Sequence, residues 1–523
     1  KNAMKQLRTV VLLGLLYGIC HGSRILVFYP GASTSLLPSF SQLFQELARR
    51  GHQLTVVTAY KLRGLEEQNI TQLLMGHPLS HDDVKNLLDL SLLPNINYLW
   101  QMAFTHCESL FQSAKFKEFL RANETYDLFI GSPFYYYECS IAVAHHLKLP
   151  VLNIYSNRLQ IHATHLMGHD FPSSYVAEFN LHFSHKMNFW ERSLNSIFCL
   201  GYSVGLSMYY IPQMNGIIKE HFPHLPPLQE MLPQISVTLL NTNLAVHPSQ
   251  PRFPGIIPVA GLTIPQKLKL PKELEQWMDK SESGVILFSL GSNIKMTSMA
   301  PEVLEVILGV FDSLPQRILM KWEGDELDGK PANVRLIKWI PQTAVLAHPK
   351  CRMMIMHGGL HSWMEAVHYS VPLLGILPSF LDQFHNLAEM QERGHGLYFK
   401  GPWTRNNFHS AINEVLHNYK YREGIHEASK IFWDQPLNPL QTAVFWTEYV
   451  IRHNGSSHLL SPAFTLPWYQ VALLDIIGVL LLSVLALVLL FRAALRAFRR
   501  WLLDYEYIIF NKFLRICHKL KGN

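Results

Sequence analysis

The sequence predicts an α/β protein of two domains, each a parallel sheet covered by helices, followed by one C-terminal transmembrane helix. Three observations lead there. Short apolar runs alternate with stretches of helical period in both halves of the chain. A proline-rich stretch separates the halves, and a long apolar segment bounded by aromatic residues and arginines lies near the end. A length of 523 residues is too great for one ordinary domain and suits two large ones.

Lys5 and Arg8 precede the apolar run 10–20, and the small residues Gly22 and Ser23 follow it. That is the order of a secretory signal peptide, expected over residues 1–22. The run is too short to span a bilayer. Arg24–Tyr29 reads as a strand ended by Pro30. Phe40, Leu43, Phe44 and Leu47 then recur at helical spacing, Gly51 ends that helix, and Gln53–Thr58 reads as the next strand. Residues 126–130, a helix over 138–147 and Val151–Tyr155 form a second unit of this kind. The other half repeats the theme, with strands at 284–290, Arg317–Lys321, 352–357 and 372–377 and helices at 301–314 and 359–368. The proline-rich stretch 247–258 reads as interdomain chain. The expected division is a first domain over 23–245, a linker region over 246–283 and a second domain over 284–460. Alternating strands and helices imply parallel sheets covered on both faces, with ligands bound beyond the carboxyl ends of the strands.

Residues 471–491 are apolar except for Asp475 and Ser483, long enough for a spanning helix expected over 470–492. Trp468 and Tyr469 stand at its start, where amphipathic rings favour the interface, and Arg492, Arg496, Arg499 and Arg500 follow it. The positive-inside rule then places the basic tail 493–523 in the cytosol and the two domains in the lumen. Lys519 and Lys521 stand fifth and third from the end and resemble a dilysine retrieval signal of single-pass type I reticulum proteins. The alternative is a basic juxtamembrane tail attracted to anionic lipid. The expected location is the endoplasmic reticulum membrane. Three glycosylation sequons, at Asn69, Asn123 and Asn454, fall on the expected lumenal side.

Charge and cysteine usage exclude some classes. The net charge of +6 gathers in the last thirty or so residues, with no basic patch among aromatics, so nucleic acid is not an expected partner. Six cysteines are scattered without CxxC or metal-like spacing. Neither a metal nor a cofactor is expected.

The strongest local signal is Met353-Met-Ile-Met-His357-Gly-Gly-Leu-His-Ser362-Trp-Met-Glu365. A buried strand runs into two glycines and then an amphipathic helix. Glycines let backbone approach a ligand closely, and the start of a helix offers unpaired N–H groups and partial positive charge, which suit a phosphate. His357 can donate to a phosphate oxygen. Glu365, about 12 Å along by helix rise, can accept from ribose hydroxyls. The competing reading is a glycine turn chosen for tight strand–helix packing. A soluble dinucleotide-binding dehydrogenase is disfavoured, because no GxGxxG follows the first strand.

Together with Trp339-Ile-Pro-Gln342, Pro372 and Asp382-Gln383, this motif resembles the signature of the UDP-glycosyltransferases. The stretches Leu47-Ala-Arg-Arg-Gly-His, Phe288-Ser-Leu-Gly-Ser-Asn293, Asp434-Gln-Pro-Leu-Asn-Pro and Trp446-Thr-Glu-Tyr-Val-Ile-Arg-His453 are similar to animal members, insect ones especially, and the resemblance covers nearly the whole chain. It implies the GT-B fold, two Rossmann-like domains facing a cleft, with a small lipophilic acceptor on the first and a UDP-sugar on the second. The UDP-sugar is a co-substrate, and the sugar is transferred with inversion. By resemblance, Trp339 stacks on uracil and Gln342 helps hold the nucleotide. Gly291, Ser292, His357, Gly359 and Ser362 meet the phosphates, Glu365 takes the ribose hydroxyls, and Asp382 and Gln383 hold the sugar. Met356 departs from the usual Thr or Ser, and the stretch 372–382 is one residue longer than usual, which leaves the sugar open.

The acceptor side departs further. Family members carry a histidine in the loop after the first strand, oriented by a carboxylate after a later strand. Ungapped alignment puts Leu36 and Ser132 at those places, and a shift of two offers Thr34. General base catalysis contributes about 10²–10⁴-fold, so an acceptor that needs no deprotonation loses least: a tertiary amine, a carboxylate or a phenolate. His162, His165 and His169 fall in a segment that the family places near the acceptor, where a structural role is the weightier reading. Two functions therefore stand: a UDP-glycosyltransferase lacking the usual base, or a non-catalytic member that binds a nucleotide sugar or lipophile or modulates a partner at the membrane. Homo- or hetero-dimerisation is left open.

Overall fold

The computed structural model describes residues 22–31, 36–76, 91–134, 136–168, 171–235, 237–265, 268–291, 296–378 and 381–520. The expected leader, apart from Gly22, lies outside them. Residues through Leu460 form one compact unit and Ser461–Asn523 another.

The first unit holds two parallel sheets. The first contains β1 (Arg24–Tyr29), β2 (Gln53–Thr58), β3 (Ile70–Leu74), β4 (Leu128–Gly131), β5 (Val151–Tyr155), β6 (Val237–Leu240) and β7 (Ile256–Pro258), in the order β3-β2-β1-β4-β5-β6-β7. The second contains β8 (Val285–Ser289), β9 (Arg317–Lys321), β10 (Val334–Ile337), β11 (Cys351–Met356), β12 (Leu373–Gly375) and β13 (Gly396–Tyr398), in the order β10-β9-β8-β11-β12-β13. Every pairing is parallel, with Phe28 beside Val57 and Gly131 in the first sheet and Phe288 beside Met320 and Ile355 in the second. Each sheet reverses direction between its first strand and the fourth, the doubly wound pattern in which ligands bind at the reversal.

The central strands are uninterrupted apolar runs because helices cover both faces. In the second sheet, Leu287, Met354 and Met356 face one core with Trp363, while Phe288, Met353 and Ile355 face the other with Phe311. In the first, Val27 and Phe28 join Phe44 and Phe129 in a single large core. A disulfide ties Cys107, on the helix Leu92–Gln112, to Cys139 in the loop after β4.

Two segments near the expected boundaries pack into the cores. The stretch 246–283 is not bare linker: β7 adds an edge strand to the first sheet, and Leu274 and Met278 of the helix Lys272–Asp279 enter the second core. The helix Pro439–Arg452, expected with the second domain, packs Ala443, Val444 and Val450 into the first core. Its Glu448 takes a 3.1 Å ion pair from Arg50.

In the second unit, Leu474–Leu520 is one helix, whose stretch Leu474–His518 is long and apolar enough to cross a membrane. Its 47 residues extend about 70 Å, over twice a hydrocarbon core of about 30 Å. As far as Leu520, the basic tail expected from 493 continues the same helix.

Candidate functional site

At the reversal of the second sheet, β8 leads through Leu290 into Gly291, and β11 leads into His357-Gly358-Gly359, which opens the helix Leu360–His368. The His357 ring lies against both flanking glycines. A Cβ at Gly291 would stand 2.6 Å from its Cε1, and one at Gly359 would stand 2.8 Å away. Gly291 also has φ of +79°, a conformation that side chains disfavour. Gly358, at φ +96°, lets the carbonyl of Gln383 come within 2.7 Å of the place a Cβ would take. The glycines thus bring the loop, the imidazole and the helix Leu381–Glu392 together.

Electrostatics suit an anion here. Lys321, closing β9, donates from Nζ to the Gly291 carbonyl at 2.7 Å and to Glu323 Oε1 at 2.7 Å. Burial, with the Lys321 charge, pushes the His357 pKa down to about 4, so the imidazole is neutral near pH 7. Its buried Nδ1 has no hydrogen-bond partner. The first N–H groups of Leu360–His368 are likewise free of intrahelical partners.

Gln342 binds this helix to its neighbour, donating from Nε2 to Ser362 Oγ at 3.0 Å and to Glu365 Oε2 at 2.7 Å. Burial raises the Glu365 carboxyl to about 7, against the Gln342 hydrogen bond. Three residues before Gln342, Trp339 is 63% exposed, with the Arg63 guanidinium 5.5 Å above its ring. Asp382 opens the helix Leu381–Glu392, raised to about 6 by burial against backbone hydrogen bonds, and Gln383 beside it is buried. Asn386, one turn on, donates to the Gly358 carbonyl at 3.0 Å. Of the residues expected on the donor side, Ser292 alone lies outside the described residues. Gly291, His357 and Gly359 meet at the ends of β8 and β11 beside the helix of Asp382 and Gln383, Gln342 is tied to Ser362 and Glu365, and Trp339 stands exposed three residues before Gln342. Among the described residues, no cluster of three or more acidic, histidine or cysteine side chains could hold a metal.

The first sheet reverses between β1 and β4, and the two substituted positions follow those strands. Leu36 is 0% exposed, packed in the first core at the start of the short helix Leu37–Phe40. Ser132 is equally buried, and its Oγ has no partner. Thr34 and His169 lie outside the described residues. His165 bonds Ser207 Oγ at 3.0 Å. His162 is buried with both ring nitrogens engaged, Nε2 2.7 Å from Glu138 Oε1 and Nδ1 3.1 Å from Tyr202 Oη.

Contacts between the two halves converge on the donor side, and sequence reasoning missed them. His361 Nε2 meets Ser39 Oγ at 2.8 Å. His182 stacks on Phe384 at 4.1 Å, His385 Nδ1 donates to the Phe183 carbonyl at 2.7 Å, and His185 Nδ1 lies 2.8 Å from Glu389 Oε1. The first half thereby grips the helix that carries Asp382. No local pattern announces such pairs, because each joins residues more than two hundred positions apart.

The family model described as "UDP-glucoronosyl and UDP-glucosyl transferase" matches residues 24–506. The chain belongs to the UDP-glycosyltransferase family. Among relatives, "UDP-glucosyltransferase 2" of Dactylopius coccus is 30% identical, over 91% of this chain and 93% of its own length. "UDP-glucuronosyltransferase 2B9" of Macaca fascicularis is also 30% identical, over 92% and 94%. Among solved structures, a UDP-glucose: anthocyanidin 3-O-glucosyltransferase in complex with UDP shares the fold at TM-score 0.56 and 16% identity, over 83% of this chain and 99% of that one. The glycosyltransferase SnogD from Streptomyces nogalater does so at TM-score 0.56 and 18% identity, over 83% and 100%. The fold of this UDP-glycosyltransferase family member is therefore GT-B, and its family's chemistry is sugar transfer from a UDP-sugar. All three sequon asparagines are exposed, though Asn69 Nδ2 donates to the Ala48 carbonyl at 3.1 Å.

Proposed function

We propose that this UDP-glycosyltransferase moves a hexose from a UDP-sugar to a small lipophilic acceptor with inversion, without a histidine base at the first sheet. The observation that carries the donor half is the neutral His357 ring cradled between Gly291 and Gly359 at the start of a helix. His357, the Gly359 backbone and Ser362 take the phosphates and favour UDP as leaving group. Trp339 supplies an open aromatic face for uracil. Glu365, steadied by Gln342, receives the ribose hydroxyls. Asp382 and Gln383 hold the sugar.

The acceptor half rests on Leu36 and Ser132, an aliphatic core residue and a partnerless buried hydroxyl where a base and its orienting carboxylate would stand. Catalysis then depends on positioning and leaving-group stabilisation. Acceptors that attack without surrendering a proton lose least. In this reading the chain is anchored in the reticulum membrane by the helix within Leu474–His518, both sheets lumenal and the sequons glycosylated.

Leu36 and Ser132 equally favour a second reading, a non-catalytic member that binds its donor. UDP release from UDP-glucose, in membranes containing the full chain, separates the two when a phenol and a tertiary amine are offered. Release that depends on the amine more than on the phenol is the expected result. Donor binding without release under any acceptor would establish the second reading.

A further inference from the structure

Arg63 belongs to the loop that follows β2, and its place there is fixed. Leu62 and Leu65, on either side of it, are buried in the first core. Gln72 of β3 accepts from the Leu62 N–H at 2.9 Å and donates to the carbonyls of Leu62 at 3.1 Å and Leu65 at 3.3 Å. Gln45, on the helix Ser41–Arg49, donates to the Gly64 carbonyl, and Gly64 takes the turn at φ +78°. Arg63 stands exposed between these ties, and its guanidinium reaches the second half, 5.5 Å above the Trp339 ring.

Two contacts from the first half thus bracket the expected seat of UDP. At the phosphate end, His361, the second residue of the helix Leu360–His368, meets Ser39 Oγ at 2.8 Å. At the base end, Arg63 meets Trp339. Because Arg63 comes from the first half, the face of Trp339 that it covers is the one turned toward that half. An indole ring and a guanidinium are both flat groups on which a nucleobase stacks. Two stacking gaps of about 3.5 Å need about 7 Å between the outer planes. The guanidinium already stands at 5.5 Å, so a withdrawal of about 1.5 Å by this exposed side chain admits a base. Arg63 then exchanges one aromatic face for another.

We propose that Arg63 is a nucleotide-binding residue supplied by the first half, capping the uracil that Trp339 supports on its other face. The inference rests on the donor-site reading above and adds to it a residue from the opposite half. Trp339 is 63% exposed, so a base stacked on it alone would leave its second face in water. The guanidinium covers that face and adds a cation–π attraction to the stack. The cap also links donor binding to the first half. Its loop is tied through Gln45 to the helix Ser41–Arg49, which directly follows Leu36 and Ser39 in the chain. A base gripped from both sides holds the two halves together while the donor is bound.

The test is titration calorimetry of UDP with the full chain in detergent micelles, for the wild type, Arg63→Ala, Arg63→Lys, Trp339→Ala and the double variant of Arg63→Ala with Trp339→Ala. Arg63→Ala is expected to weaken UDP about 3- to 30-fold. Arg63→Lys, which keeps the charge and loses the flat face, should recover only part of that loss. With Trp339→Ala already in place, removing Arg63 should cost no more than about twofold, because the base no longer lies between two planes. The unliganded melting temperature of Arg63→Ala should stay within about 2 °C of wild type, since the side chain is exposed. Tighter UDP binding by Arg63→Ala overturns the cap and makes the arginine an obstruction. Unchanged binding also overturns it, and would seat the base in the cavity of about 510 Å³ that Leu274, Ile337 and Pro341 wall beside Trp339. Full rescue by lysine, or an equal loss with and without Trp339, overturns it in favour of simple attraction between Arg63 and the diphosphate. Wild-type protein that binds no UDP, or Trp339→Ala that binds it as tightly as wild type, overturns the donor-site reading first, and the cap with it.

Discussion

The imidazole of His357 stands where a side chain at Gly291 would have to be, its Cε1 2.6 Å from the position of that Cβ. Two strands that neighbour one another in the sheet therefore end in a residue pair of which only one member can have a side chain. Gly291→Ala forces the ring aside and places alanine at φ +79°. The backbone strain should cost about 1–3 kcal/mol, read as a lower melting temperature. If His357 donates to a phosphate as proposed, UDP affinity, measured by titration calorimetry, should fall by about tenfold or more as the ring is displaced. Unchanged UDP affinity would remove His357 from the donor site.

Glu365 sets a pH dependence. Its carboxyl titrates at about 7 in the unliganded protein, raised by burial. Below that pH it is neutral and, in the proposed donor site, loses its strength as an acceptor of ribose hydroxyls. UDP affinity should therefore rise as pH increases from 6 to 8, and Glu365→Gln should flatten the profile. His357, at about 4, does not titrate in this window. Folding runs the other way. The folded carboxyl holds its proton more tightly than the unfolded one, whose value is near 4.5. Its favourable contribution is full below about 4.5 and is lost as pH rises through about 7.

Much of this architecture was legible because parallel sheets write themselves as unbroken apolar runs. Arg24–Tyr29, Gln53–Thr58, Val151–Tyr155 and Arg317–Lys321 are strands with the bounds the sequence suggests. The strands it hides are mostly short or at edges, such as β7 and β13 with three residues each. There, burial on fewer sides leaves little pattern. The loop of His357 was legible because strand, glycines and helix start are contiguous. The contacts of His182, His385 and His185 across the two halves were not, because each joins residues more than two hundred positions apart. The Glu138–His162 pair was half visible, its histidine noted and its carboxylate passed over.

That pair supports structure. Glu138 is wholly buried, receives Tyr210 Oη on one oxygen and His162 Nε2 on the other, and lies among Trp100, Tyr136 and Tyr202. Glu138→Ala leaves the imidazole Nε2 and the Tyr210 hydroxyl without this partner in a packed interior. It should destabilise the protein by about 3–5 kcal/mol in chemical denaturation. UDP affinity of the folded fraction should remain within about twofold, because the network does not touch the ends of β8 and β11. A tenfold loss of UDP affinity in folded protein would tie the network to the donor site.

Restoring the family's dyad is not a matter of adding two side chains, because both positions lie inside the first core. Leu36→His alone exchanges a packed aliphatic side chain for an imidazole, and Ser132→Asp alone buries a carboxylate where the serine hydroxyl already lacks a partner. Each single change should cost about 2–4 kcal/mol. If His and Asp meet in the double variant, each partners the other, and the double should recover about 1–3 kcal/mol relative to the sum. A thermal double-mutant cycle measures that coupling without any assumption about activity. Phenol-dependent UDP release should then appear in the double variant and in neither single one. Additive losses would mean that the two positions do not face one another in this fold. The loop after β1 would then have been rebuilt around Leu36, and the chain's own chemistry would depend on acceptors that arrive without a proton to give up.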